Sequence, residues 1–133
     1  MTSPVIPVLP YEDIEAAHDY LVQVFGFTSD GIERTPDGTV VHGEVRLGEA
    51  RIWLHRVTDE LASPRTLTQL NGGLVVHVDD VDAHFARARS AGAAIDREPD
   101  DQPYGQREYG ARDLEGHHWW FATPTTAPAL PDR

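Results

Sequence analysis

The chain contains no cysteine in its 133 residues, which excludes a disulfide framework, a thiolate metal site and a thiol nucleophile. Basic residues are few: 11 Lys and Arg stand against 22 Asp and Glu, a formal charge of −11 that repels phosphate backbones and anionic lipid surfaces. No stretch approaches the roughly 18 apolar residues of a membrane span, and Met1-Thr2-Ser3-Pro4 is not a basic segment followed by an apolar one. These absences predict a cytoplasmic protein with neither nucleic acid nor membrane as partner. The acidity itself favours solubility and supplies a field that attracts cations.

With 40% hydrophobic residues and three Trp, the chain has the material for one core, and its length suits one domain. That domain is built from a repeat. Val5 to Phe27 reads as a short apolar strand, an acidic cap and a helix ending at Gly26, and Gly72 to Ala93 repeats the order, ending at Gly92. Ile14, Ala17, Leu21 and Val24 recur at helical spacing in the first, and Val81, Phe85 and Ala88 in the second. Asp13 and Asp80 stand at N-caps, Gly26 and Gly92 at left-handed C-caps, and each helix is expected to run about 12 residues. Extended segments follow: Gly38 to Leu47 and Ala50 to Arg56, then Ala94 to Arg97 and Gly105 to Thr123. Gly48-Glu49 and Asp113-Leu114-Glu115-Gly116 read as hairpin turns. Asp13 and Asp80 are 67 positions apart, as are Trp53 and Trp120, so two independent anchors fix one repeat. Pro7 and Pro10 place the first strand at a sheet edge, because proline cannot donate to a ladder.

The paired βαβββ units, the phrase VDDVDAHFARARSAGA and the ending YGQREYGARDLEGHHWWFATP resemble the vicinal oxygen chelate superfamily of glyoxalases, bleomycin-resistance proteins and dioxygenases. The resemblance implies an α+β fold of two tandem βαβββ modules, an eight-stranded, partly open, barrel-like arrangement around a cavity, in a homodimer. It places one domain over residues 4–124, with module one at 4–58, a linker at 57–71, module two at 72–124 and a flexible tail at 125–133.

The resemblance also locates where metal-dependent relatives keep their ligands: Ile6, Trp53, Gly73 and Trp120. None offers a metal-donating side chain, so neither a metal nor another cofactor is expected. A displaced site drawn from His42, Glu44, His55, His77, Glu108 and His118 is the alternative, and it would require at least three donors to converge.

Of the adjacent Trp119 and Trp120, strand alternation sends one to the helix-covered core and the other to the cavity, and Trp119 is assigned to the core. Trp53 and Trp120 then form an indole clamp. Pairing Asp113 with Gly116 across the last hairpin sets Tyr109 opposite Trp120, with Arg107 on the same face to counter a ligand anion. His55, His77 and His118 complete the predicted ligand-binding set as polar lining. Tyr104, in a Pro-Tyr-Gly turn, lies near the pocket mouth, and Asp79-Asp80 and Asp100-Asp101 read as caps and solvated loop.

The function expected is metal-free binding of an aromatic or cationic small molecule, with no catalytic residue assigned. Two alternatives stand: a glyoxalase- or dioxygenase-type enzyme with a displaced ligand set, and a structural module whose cavity is filled by side chains.

Overall fold

Each half of the chain begins with a short strand whose carboxyl end runs into a capped helix. A computed structural model describes residues 5–125, in which β1 (Val8–Tyr11) leads to α1 (Ile14–Gln23), and β5 (Leu74–His77) leads to α2 (Val81–Ser90). Asp13 accepts from the Ala16 amide at 3.0 Å and Asp80 from the Ala83 amide at 3.1 Å, so both helices start where the acidic caps predict. Gly26 and Gly92 follow the helices at φ of +78° and +95°, the left-handed region that glycine enters without strain. Each helix runs 10 residues, slightly shorter than expected.

The first half continues with β2 (Thr28–Arg34), β3 (Val40–Leu47) and β4 (Ala50–Arg56), the second with β6 (Ala94–Gln102), β7 (Gln106–Arg112) and β8 (His118–Pro124). They form two separate four-stranded sheets, ordered β1-β4-β3-β2 and β5-β8-β7-β6. The expected α+β architecture, with sheets that do not close, is therefore present. β1 is an edge strand paired only with β4, which accommodates Pro10. The parallel registers repeat the sequence anchors: Val8 lies opposite Trp53, and Val75 opposite Trp120.

Two strands depart from the sequence reading. β2 was missed because its residues, Thr-Ser-Asp-Gly-Ile-Glu-Arg, are almost all exposed and carry no apolar alternation. β6 extends to Gln102, so Asp100 and Asp101 belong to a strand and not to a loop. Of the predicted tail, all but Thr125 lies outside the described residues.

Ile52 and Leu54 of β4 pack beneath α1, and Trp119 and Phe121 of β8 beneath α2; all four are buried. Phe25 and Phe27, just beyond α1, cross to the second module, where Phe25 lies 4.9 Å from the Phe121 ring and Phe27 5.5 Å from the Trp119 ring. The helix-covered sides of both sheets thus share one core, leaving each sheet a helix-free face. No described helix is long and apolar enough to cross a membrane.

Two polar junctions lock the modules together. The hairpin after β7 carries Asp113, Glu115 and His117, all buried. Glu115 accepts from the Glu12 and Asp13 amides at 2.8 Å each and from the Ser63 hydroxyl at 2.6 Å. Asp113 accepts from the Tyr11 hydroxyl at 2.6 Å, the Trp119 indole at 3.0 Å and the amides of Glu115 and His117. Burial first, and then the Asp113 charge, hold the Tyr11 phenol well above its ordinary pKa. His117 Nε2 lies 2.8 Å from the Pro10 carbonyl, and since a carbonyl has no proton, the imidazole donates.

The second junction is His84 of α2. Its Nε2 donates to the Phe25 carbonyl at 2.7 Å, which leaves Nδ1 to accept from the Tyr109 hydroxyl at 2.6 Å. Burial lowers the His84 pKa, with the Arg87 charge adding to it against the opposing Phe25 bond.

Glu115→Ala leaves two amides and a hydroxyl without an acceptor and is expected to lower unfolding free energy by about 3 kcal/mol in urea titration. A loss under about 1 kcal/mol would show that the hairpin does not join the modules. For His84 the unfolded imidazole takes up a proton first, near its ordinary pKa of about 6.5, so its stabilisation is complete above that pH and declines as pH falls through the lower folded value. Wild type should therefore lose more stability than His84→Gln between neutrality and about pH 5, and parallel pH profiles would contradict this.

Candidate functional site

On β4, alternation that buries Ile52 and Leu54 turns Trp53 and His55 onto the helix-free face. Cross-strand register sets Glu44 opposite Trp53 and His42 opposite His55. The His42 ring meets the Trp53 ring edge-on at 5.4 Å, and its Nε2 donates to Glu44 at 3.1 Å. His55 Nδ1 donates to the Arg56 carbonyl at 2.9 Å. Trp53 remains 36% exposed, and its parallel neighbour Val8 43%.

On β8, Trp119 and Phe121 enter the core and His118, Trp120 and Ala122 share the other side, the division expected for the Trp pair. The His118 ring stacks on Trp120 at 4.1 Å. The indole lies across two glycines: a Cβ at Gly73 would come within 2.6 Å of its Cζ3 and 2.8 Å of the His118 carbonyl, and one at Gly110 within 3.5 Å of its Nε1. Gly73 is required here for space, and no ligating side chain fits at that position. His77 approaches Gln106 at 3.2 Å and His118 approaches Asp96 at 3.5 Å, while Glu108 accepts from the Tyr104 hydroxyl.

The candidate donors are thus divided between two faces, with His42, Glu44 and His55 on one and His77, Glu108 and His118 on the other. Among the described residues, no group of three or more His, Asp or Glu could hold a metal ion. The donor set does not fit the superfamily's metal centre, because two of the four expected positions carry indoles and a third is filled by one of them.

The last hairpin corrects two predicted site residues. Arg112 pairs with His118, and the Asp113 amide bonds the His117 carbonyl at 3.0 Å, so the turn spans five residues where Asp113 against Gly116 had been expected. The Asp113 carboxylate causes this by drawing in the amides of Glu115 and His117. A one-residue change in register turns every side chain over. Tyr109 consequently pairs with Phe121 and Gly110 with Trp120. Tyr109 is fully buried in the core, its phenol pKa raised by burial, and Arg107 sits on the helix side, bonded to Asp82 at 3.1 Å and Asp101 at 3.2 Å. Neither reaches the helix-free face. Its true occupants from β7 are Gln106, Glu108, Gly110 and Arg112, which the sequence would have yielded had the turn been counted as five.

No ring contact joins Trp53 to Trp120 among the described residues, so within one chain the two indoles occupy separate faces. A cleft of about 710 Å³ lies between β1, the linker and the start of β5, bordered by Val8, Leu61, Leu67, Gly73 and His118. Of the predicted site residues only His118 borders it, and the linker's contribution carried no sequence signal.

Comparison with known proteins is consistent with this geometry. An uncharacterized protein of Mycobacterium bovis is 31% identical over 123 residues, covering 89% of this chain and 81% of its own. TioX from Micromonospora sp. ML1 superposes with a TM-score of 0.75 at 35% identity, covering 92% of this chain and 99% of its own. TnmS3, an antibiotic binding protein from Streptomyces sp. CB03234, also gives 0.75, at 24% identity over 94% and 98% of the two chains, a likeness of fold. Residues 5–121 match the family model of the Glyoxalase/Bleomycin resistance protein/Dioxygenase superfamily, and the chain belongs to that superfamily.

Proposed function

We propose that this protein binds a small, planar organic molecule without a metal, using Trp53 and Trp120 as stacking planes. The observation that carries the reading is the equivalence of the two indoles: each sits opposite a valine of its parallel neighbour, on the helix-free face of its sheet, partly open to solvent. An indole held that way keeps apolar surface in water that a planar ligand would cover, and stacking adds on the order of 1 kcal/mol beyond simple burial. Ordinary core tryptophans look different, as the fully buried Trp119 does.

The two planes lie on separate faces of one chain, so a clamp with both indoles requires a second copy, its Trp120 face set against the Trp53 face of the first. A homodimer of this kind would hold two equivalent pockets. His55, His77 and His118 would line them as polar contacts. The absence of cysteine suits the reducing cytoplasm, and a relative of the same fold described as an antibiotic binding protein points to the same class of ligand.

Titrating planar aromatic antibiotics against Trp fluorescence tests this reading. Trp53→Ala and Trp120→Ala should each weaken binding about tenfold, whereas Trp119→Ala should cost about 3 to 5 kcal/mol of stability. Gly73→Ala, which crowds the Trp120 ring, should weaken binding as well. Chelator-sensitive turnover of a carbonyl or diol substrate, or affinities unmoved by either exposed-face Trp substitution, would overturn the proposal.

A further inference from the structure

Between α1 and β2, three side chains that the indole faces do not use stand in a row: Ser29, His18 and Asp19. The His18 ring lies 2.7 Å through Nε2 from the Ser29 hydroxyl and 3.0 Å through Nδ1 from the Asp19 carboxylate. An ionised carboxylate only accepts, so Nδ1 carries the proton and Nε2 is left to accept from the hydroxyl. That is the tautomer a general base needs, and a hydroxyl, an imidazole and a carboxylate in this order activate an oxygen nucleophile on unrelated folds. The His18 side chain is only 10% exposed against 56% for Asp19, so packing fixes the ring, while Ser29 itself is exposed on the edge strand.

Two features of β2 present the hydroxyl. Ser29 pairs with Val45 and Gly31 with Glu44, which leaves Asp30 as an extra residue without a partner in the ladder, a bulge of the kind that re-aims neighbouring side chains. Gly31 follows at φ +118°, and a Cβ there would meet nothing within 4 Å, so there is open space beside Ser29. The Gly31 amide donates to Ser29 Oγ at 3.1 Å, a backbone N–H standing close to where an oxyanion formed on Oγ would lie.

The framework does not impose this trio. Carried through the repeat, by 67 positions along the helix and 66 beyond it, His18, Asp19 and Ser29 correspond to Phe85, Ala86 and Ile95. Phe85 and Ile95 are partly buried against the core, so the second module closes the same helix–strand junction with apolar side chains.

We propose that Ser29 is a nucleophile, with His18 its general base and Asp19 a positioning residue, in a metal-independent acyl-transfer site for small uncharged carboxylic esters. Oγ adds to the ester carbonyl carbon as its proton passes to Nε2; the bond from that carbon to the leaving oxygen breaks, and the leaving oxygen takes the proton as an alcohol. Water then adds to the acyl-Ser29 ester through the same base, releasing a carboxylic acid and restoring the hydroxyl. With Asp19 beside the base and a net charge of −11, an anionic ester is disfavoured. The trio lies on the helix-covered side of the first sheet, so it neither needs nor affects stacking at Trp53 on the other side.

All 11 basic residues are Arg and there is no Cys, so neither an ε-amine nor a thiol competes for acylating reagents. A fluorophosphonate should phosphonylate Ser29 of the full-length protein, located by peptide mass, and wild type should hydrolyse p-nitrophenyl acetate whether or not a chelator is present. Ser29→Ala should abolish both, and His18→Gln should lower both by about 100-fold. Asp19→Asn should lower kcat on the order of tenfold with KM unchanged, since a half-exposed carboxylate orients the ring only moderately, and Asp19→Glu should restore part of it. Ester turnover that survives Ser29→Ala belongs to exposed histidines and overturns the proposal. So does Ser29 labelling that His18→Gln leaves at the wild-type rate, or a wild type that neither labels nor turns over. Variants that change only the melting temperature make the trio a tie between helix and strand, which overturns it as well.

Discussion

Two buried carboxylates that have no cationic partner among the described residues hold this molecule together. Asp113 and Glu115 sit two residues apart in one hairpin, and donors from the opposite module come to them: the Tyr11 hydroxyl, two amides at the start of α1 and the Ser63 hydroxyl of the linker. A buried charge is tolerable when its hydrogen bonds are filled. Here the filling groups belong to β1, α1, the linker and β8, so satisfying the charge and docking the modules are one event. The shared aromatic core of Phe25, Phe27, Trp119 and Phe121 joins the same two modules.

That arrangement determines where a site can form. Because the helix-covered sides meet each other, the helix-free faces remain as the places where large side chains stand partly uncovered. The indoles at equivalent register positions mark them, and the glycines at 73 and 110 let one indole lie flat where a side chain would otherwise hold it up.

Much of this was legible in the sequence. The helix caps, both C-terminal glycines, the edge placement of β1 and the division between Trp119 and Trp120 each followed from a strong local signal. What failed was the phase of β7. Asp13 to Asp80 and Trp53 to Trp120 are both separated by 67 residues, yet Gly26 to Gly92 is separated by 66. The offset persists through the middle of the repeat: the ion pair of Arg46 with Asp30 recurs as Arg112 with Asp96, each member 66 positions on. The first module has one more residue after its helix and the second one more in its last hairpin. Anchors at either end agree because the two differences cancel, and Tyr109 and Arg107, lying between them, were assigned to the wrong side. β2 escaped for another reason: an exposed edge strand has no buried side to impose alternation.

The five-residue turn has one more consequence. It takes up the extra residue at the bend itself, so the strand pairing is the same in both modules: Glu44 faces Trp53 and Gly110, its equivalent 66 positions on, faces Trp120. Length differences confined to bends leave the strand faces on either side unchanged, so the two modules can carry different chemistry beside the indole, a carboxylate in one and a glycine in the other, on one and the same framework.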